Sequence, residues 1–238
     1  MGWLGDAASS IVAVTNVQQT PIHDLHNPDL LRLVPTTARR LVEVGCSSGA
    51  LAREYKKVNA SCHYLGIEIN SAYAKQAERY CDEVLVLDID EATDADFVGR
   101  LAGDCWIFGD SLEHLVEPWR LLRTIRLHLP SDGCVIACIP NAQHWSVQAR
   151  LNCGNFRYEE AGLLDRTHLR WFTRITMLEM FFSAGFQITD GFPRIFGQPP
   201  ADAILGAIRL MATSIGADPE LAVNDALPIQ YVVKAVPR

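Results

Sequence analysis

The sequence predicts an α/β fold: a doubly wound, mostly parallel sheet with helices on both faces. Three observations carry that expectation. Short runs of branched apolar residues recur at 41–44, 64–69, 83–89, 105–110 and 134–141, with helical stretches between most of them. The first four runs carry an acid at or near their ends, Glu43, Glu68, Asp88 and Asp110. The first run also passes straight into a turn of small residues, Gly45-Cys46-Ser47-Ser48-Gly49. Strands and helices that alternate at this spacing imply βαβ units and a parallel sheet covered on both sides. Ligands of such sheets sit beyond the carboxyl ends of the strands, where the strand order switches. The four acids therefore mark a pocket along one edge.

The elements follow in order. Residues 1–35 are expected to be an N-terminal arm or cap, ahead of one domain over 36–238. Within the arm, Asn27 caps a short helix at 28–34, Pro28 takes its first position and Pro35 closes it. The domain then reads as strand 41–44, helix 50–57, strand 64–69, helix 71–80 and strands 83–89 and 105–110. Helix 118–129, strand 134–141, helix 173–184, strand 186–195 and strand 229–236 complete it, giving seven strands. The last strand is expected to form a hairpin-like edge. Thr173 and Gly185 are the cap and stop of the helix between them. Two insertions interrupt the alternation, at about 142–173 and 196–227, and the second contains two helical stretches.

Composition narrows the function. A chain of 238 residues with 49% hydrophobic and 21% charged residues has ample material for a core. A net charge of −7 argues against a general nucleic-acid or anionic-membrane binder. Seven cysteines stand singly, with no C-x-x-C pair, as expected of reduced thiols in a cytoplasmic protein. The weak apolar run at 11–14 has no Lys or Arg before it, so it is not read as a signal peptide. No window approaches the roughly 20 apolar residues of a membrane span.

A strand running into a turn of small residues lets main-chain N–H groups approach a ligand closely. Glu68 is placed to accept both hydroxyls of a ribose, as the acid after the second strand does in dinucleotide folds. The spacing lacks G-x-G-x-x-G, and Glu43 beside the loop would repel a pyrophosphate. A negative charge there suits a sulfonium and an amino group.

With these features in register, residues 41–141 resemble the Rossmann-like core of class I S-adenosylmethionine (SAM) methyltransferases. Their loop has the form (D/E)-x-G-x-G-x-G, and Ser47 stands here at the middle glycine. The resemblance implies that Glu43, Gly45, Cys46, Ser47, Gly49, Glu68, Ile69, Asp88, Ile89 and Asp110 bind SAM. Within that set Asp88 takes the adenine amino group, and the backbone of Ile89 meets a ring nitrogen.

The segment Asp110-Ser111-Leu112-Glu113-His114-Leu115 resembles the (D/E)-x-(L/I)-E-H motif of two metal-dependent groups. These are the ubiquinone-biosynthesis O-methyltransferases and the plant small-RNA 2′-O-methyltransferases. Thr167-His168-Leu169-Arg170-Trp171-Phe172-Thr173 is similar to the segment bearing the last histidine ligand of the RNA enzymes. That likeness makes Asp110, Glu113, His114 and His168 candidate ligands for Mg²⁺ or another divalent metal. The insertion as a whole resembles bacterial methyltransferases associated with sugar and surface-polysaccharide modification. His144 and His168 are then candidate general bases, Asp165 orients one of them, and Trp145, Tyr158 and Trp171 are candidate stacking platforms for a sugar.

Five arginines, Arg150, Arg157, Arg166, Arg170 and Arg174, give this region a local charge of +2 against Glu159, Glu160 and Asp165, which permits a phosphate-bearing acceptor. The expected activity is O-methylation of a carbohydrate or glycosylated small molecule. Two alternatives stay open: a metal-dependent methyltransferase of an RNA terminal 2′-hydroxyl, and a catalytically silent SAM-fold partner module.

Overall fold

The computed structural model describes residues 24–92 and 94–238. Its strands are β1 (Arg40–Val44), β2 (His63–Glu68), β3 (Glu83–Val86), β4 (Cys105–Gly109), β5 (Cys134–Pro140), β6 (Phe186–Arg194) and β7 (Gln230–Pro237). They form a seven-stranded sheet in the order β3-β2-β1-β4-β5-β7-β6. β1 to β5 run parallel, and β7 lies antiparallel between β5 and β6. The chain winds outward from β1 to β3 and then returns to β4, so the switch in strand order falls between β1 and β4.

Alternation along the strands divides the core in two. Leu41, Ile107, Ile136 and Cys138 face one side and pack with α1 (Pro28–Leu33), α2 (Ala50–Val58) and α3 (Ser71–Ala77). Val42, Val44, Phe108 and Ala137 face the other, against α4 (Ala95–Leu101), α5 (Pro118–His128) and α7 (Arg174–Ser183). Both faces are thus buried, as the near-continuous apolar strands require. Between β5 and α7 lies α6 (Trp145–Asn152). The second insertion forms α8 (Asp202–Ser214) and α9 (Pro219–Ala226), which bury Ile208, Val223 and Ala226 against Trp145.

The expected strands are all present, and the hairpin-like edge is β6–β7. Three details differ. Helix α4 was not expected, because it is only seven residues long and carries a glycine. Helix α6 lies inside the first insertion, to which no element was assigned. Strand β3 stops at Val86, and an Asp90 N–H to Asp88 Oδ1 bond of 2.9 Å turns the chain just beyond it. Of the expected arm, residues 1–23 lie outside the described residues. Its remaining helix, α1, is capped by the Asn27 side chain as expected and lies against β4 and β5 through Leu30.

Gly66, in the middle of β2, leaves room for the turn after β1. A methyl group on it would lie 2.6 Å from Cys46 Sγ and 3.3 Å from Cys81 Sγ. Gly66→Ala should therefore destabilise the fold by about 1–3 kcal/mol, measured by urea denaturation. A loss below about 0.5 kcal/mol would mean that the turn yields freely.

Candidate active site

The carboxyl ends of β1 to β5 open into a cavity of about 700 Å³. Its floor is the turn after β1. Gly45 there has φ +77°, a left-handed conformation that favours glycine, and Gly45 and Cys46 donate their N–H groups to the Ile67 carbonyl at 2.8 and 3.2 Å. Ser47 also has positive φ, +48°, and donates its N–H to Glu68 Oε2 at 2.8 Å. The Asn70 N–H donates to the other Glu68 oxygen at 2.9 Å. Each carboxylate oxygen keeps a second lone pair, and Glu68 lines the cavity.

Glu43 sits one strand over, buried, and accepts the Tyr64 hydroxyl at 2.7 Å. Burial pushes its carboxyl up to about 7, against the opposing Tyr64 bond and with a further push from Glu68. Ile69, Asp88 and Ile89 line the cavity beyond β2 and β3.

At the β4 end a single 3₁₀ turn, Leu112–His114, meets the segment after Asp165. The Glu113 carbonyl accepts the N–H groups of Leu169 and Arg170 at 2.8 and 2.9 Å. His114 Nδ1 lies 3.1 Å from both the carbonyl and the hydroxyl oxygen of Thr167. The Thr167 hydroxyl and N–H both donate to Asp165 Oδ1, at 2.7 and 2.8 Å. With its proton committed to Asp165, the hydroxyl presents a lone pair, so the proton of His114 is assigned to Nδ1 and the free lone pair to Nε2.

One acid in this region has no hydrogen bond. Glu113 is 1% exposed, and among the described residues neither of its carboxylate oxygens has a hydrogen-bond partner. Burial, then the neighbouring Asp110, holds it well above the usual carboxylate range. His168 Nε2 lies 4.0 Å from Glu113 Oε1, and the His114 and His168 rings meet edge to face at 4.8 Å. One donor atom from each of Glu113, His114 and His168 lies within 4.8 Å of the others. Burial lowers the His168 imidazole to about 4, so it is neutral at physiological pH.

The methyltransferase-domain family matches residues 22–190. The chain belongs to that family. No curated protein sequence matches it. A SAM-dependent methyltransferase from Archaeoglobus fulgidus has a similar structure, with a TM-score of 0.56 and 18% identity over 84% of this chain and 87% of that one. Another from Thermotoga maritima has a TM-score of 0.57 and 15% identity over 89% and 86%. For mitomycin 7-O-methyltransferase the values are 0.55 and 13%, over 88% of this chain and 52% of that one. At these identities the likeness is one of fold. Family and fold together make the protein a SAM-dependent methyltransferase, an enzyme.

Most of the residues expected to bind cofactor line the cavity of this methyltransferase. Gly49 does not. It packs behind the turn, where a side chain would meet the Ala77 backbone at 3.0 Å. His144 is likewise absent from the lining, and its ring caps α6, with Nδ1 2.7 Å from the Ser146 hydroxyl. Asp110 lines the cavity but stands outside the Glu113–His114–His168 group, and its carboxylate accepts from Gln230 at 2.5 Å. His168 is in place, but so low a pKa makes it a weak general base.

None of the five arginines lines the cavity. Arg150 pairs with Glu159, Arg166 with Glu160, Arg170 with Glu117 and Arg174 with Asp225, so the local positive charge is spent on structure. Trp145, Tyr158 and Trp171 are also outside the lining. Trp171 and Tyr158 join Phe156 in an aromatic layer, with ring centroids 5.5 and 5.9 Å apart, and Trp171 stands 5.8 Å from His168. Sequence reasoning missed Thr167, whose hydroxyl links Asp165 to His114, and no local signal marks it. No helix among the described residues is long and apolar enough to cross a membrane.

The folded-state pKa of Glu43 lies above the ordinary 4.5, so the ligand-free enzyme should lose stability as pH rises from 4.5 through about 7. Glu43→Gln removes that loss, of the order of 3 kcal/mol. Thermal melts of both proteins at pH 5 and pH 8 check this. The same pH dependence in the two would contradict it.

Proposed function

We propose that the enzyme transfers the SAM methyl group to a hydroxyl of an uncharged carbohydrate or glycosylated small molecule. The acceptor oxygen sits at Glu113, His114 and His168, and those three side chains hold a divalent cation. The observation that carries this reading is the buried Glu113 carboxylate, unpartnered beside two imidazoles. A buried carboxylate without a counter-charge is costly, and a cation or a proton relieves it.

SAM, when bound, supplies an electrophilic methyl on a sulfonium. Glu68 accepts the ribose hydroxyls, Asp88 and the Ile89 backbone take the adenine, and the turn after β1 lies beneath the rest. Each of these groups borders the one cavity that also contains Glu113. Holding both reactants there converts a bimolecular step into a positioned one.

A divalent cation at the trio would act as a Lewis acid and lower the pKa of a bound hydroxyl. One carboxylate and two imidazoles form a donor set that suits a first-row ion better than Mg²⁺. Asp165, through Thr167, turns the His114 lone pair to Nε2. His168 is neutral for want of basicity, which fits a ligand better than a base.

The acceptor's charge follows from the lining. Seven carboxylates border the cavity, from Glu43, Glu68, Asp88, Asp90, Asp110, Glu113 and Asp165, and none of the described lining residues is Lys or Arg. Away from the trio, a phosphate would meet carboxylates with no Lys or Arg among the described lining residues to offset them. That disfavours a phosphate-rich acceptor such as an RNA end or a nucleotide-sugar.

Titration with Mn²⁺ and Zn²⁺ tests the cation. The wild type should bind one equivalent, and Glu113→Gln should bind at least about tenfold more weakly with unchanged S-adenosylhomocysteine affinity. EDTA should abolish transfer to a panel of glycosides. Full transfer in EDTA would remove the cation and leave the methylation reading standing, whereas turnover confined to phosphorylated or RNA acceptors would overturn the acceptor class.

A further inference from the structure

SAM brings an α-carboxylate into a cavity that offers it no Lys or Arg among the described lining residues. Residues 1–23 contain neither Lys nor Arg, so that segment supplies none either. With no Lys or Arg there, hydrogen-bond donors of the lining are left to meet the carboxylate. Among the described residues, two side chains of the lining have a buried donor without a hydrogen-bond partner: Asn27, through Nδ2, and Ser111, through Oγ.

Their geometry favours a ligand between them and the turn after β1. Asn27 Oδ1 accepts the Asp29 and Leu30 N–H groups at 3.0 and 3.4 Å. Those bonds fix which end of the amide is oxygen, so the nitrogen is the free end. Ser111 is 8% exposed, and its Cβ lies 3.2 Å from where a Gly45 side chain would begin. Leu30 Cδ1 lies 3.0 Å from the corresponding point on Gly109, which sets the start of α1 over the end of β4. In the strand order, β4 lies across β1 from β2 and β3. A nucleoside held by Glu68 and Asp88 therefore directs its amino-acid tail toward Asn27 and Ser111.

We infer that Asn27 Nδ2 and Ser111 Oγ hold the α-carboxylate of the cofactor. Glu43, on the strand between, is the matching carboxylate for the α-ammonium. The inference rests on the nucleoside placement proposed above. The helix that carries Asn27 is itself secured, since Arg194 donates to Asp29 at 2.9 Å and the Tyr55 hydroxyl donates to the Pro35 carbonyl at 2.7 Å. Asn27 thus has two tasks, and its two amide ends divide them: the oxygen caps α1 and the nitrogen binds ligand.

Calorimetry with S-adenosylhomocysteine and with 5′-methylthioadenosine, which lacks the amino-acid tail, separates binding from structure. Asn27→Asp and Asn27→Ser keep an oxygen for the cap, and Asn27→Asp also adds a repelling charge. Asn27→Asp should weaken S-adenosylhomocysteine at least about tenfold and Ser111→Ala about threefold or more, with 5′-methylthioadenosine changed by less than about twofold. Melting temperatures of the ligand-free variants should match the wild type. Unchanged S-adenosylhomocysteine affinity in Ser111→Ala and either Asn27 variant would overturn the inference, as would an equal loss for both ligands. Glu68→Ala should weaken both ligands alike. A wild type that binds neither ligand would remove the nucleoside placement, and the inference with it.

Discussion

The Glu68 carboxylate ties the ends of two strands into one binding edge. By accepting the Ser47 and Asn70 N–H groups it fixes the turn after β1 against the turn after β2. Ser47 holds its positive φ within that arrangement, and the cavity floor follows its course. The burial of Glu68 matters as much as its bonds. In a desolvated setting both its hydrogen bonds and its charge act at short range with little screening. The rest of the edge is built around the same contrast of buried acid and polar donor.

That contrast gives the cavity its two ends. Toward β3 the cavity is lined by Glu68 and Asp88, and toward β4 the Glu113 carboxylate lies beside two imidazoles. Between them Glu43 is held partly neutral by burial, and a cation arriving beside it favours the charged form. A sulfonium cofactor suits such a lining. The arginines that gave the sequence its positive stretch are spent elsewhere, because acids lay within reach of four of them.

The sheet was legible in the sequence because parallel strands buried on both faces read as apolar runs, and because the acids at their ends recur. The acids that line the β2 and β3 end of the cavity were legible for the same reason: Glu68 and Asp88 follow strands directly. What the sequence did not show were placements that depend on a distant neighbour or on the helix a residue begins. His144 has the look of a base, yet it begins a helix and is used to cap it. Gly49 reads as part of a binding loop, but its smallness serves the approach of Ala77. Asn27 was read correctly as a cap from its place before Pro28. Its buried amide nitrogen, like the unpartnered hydroxyl of Ser111, exists only once α1 lies over β4. Thr167 likewise gains its role only from the meeting of two segments 53 residues apart.

The most direct test of this account is a crystal structure of the enzyme with S-adenosylhomocysteine. The adenine should lie against Asp88 and Ile89, the ribose on Glu68, and the sulfur should face the Glu113–His114–His168 group. A nucleoside bound at the β4 end, or a sulfur turned away from Glu113, would contradict it.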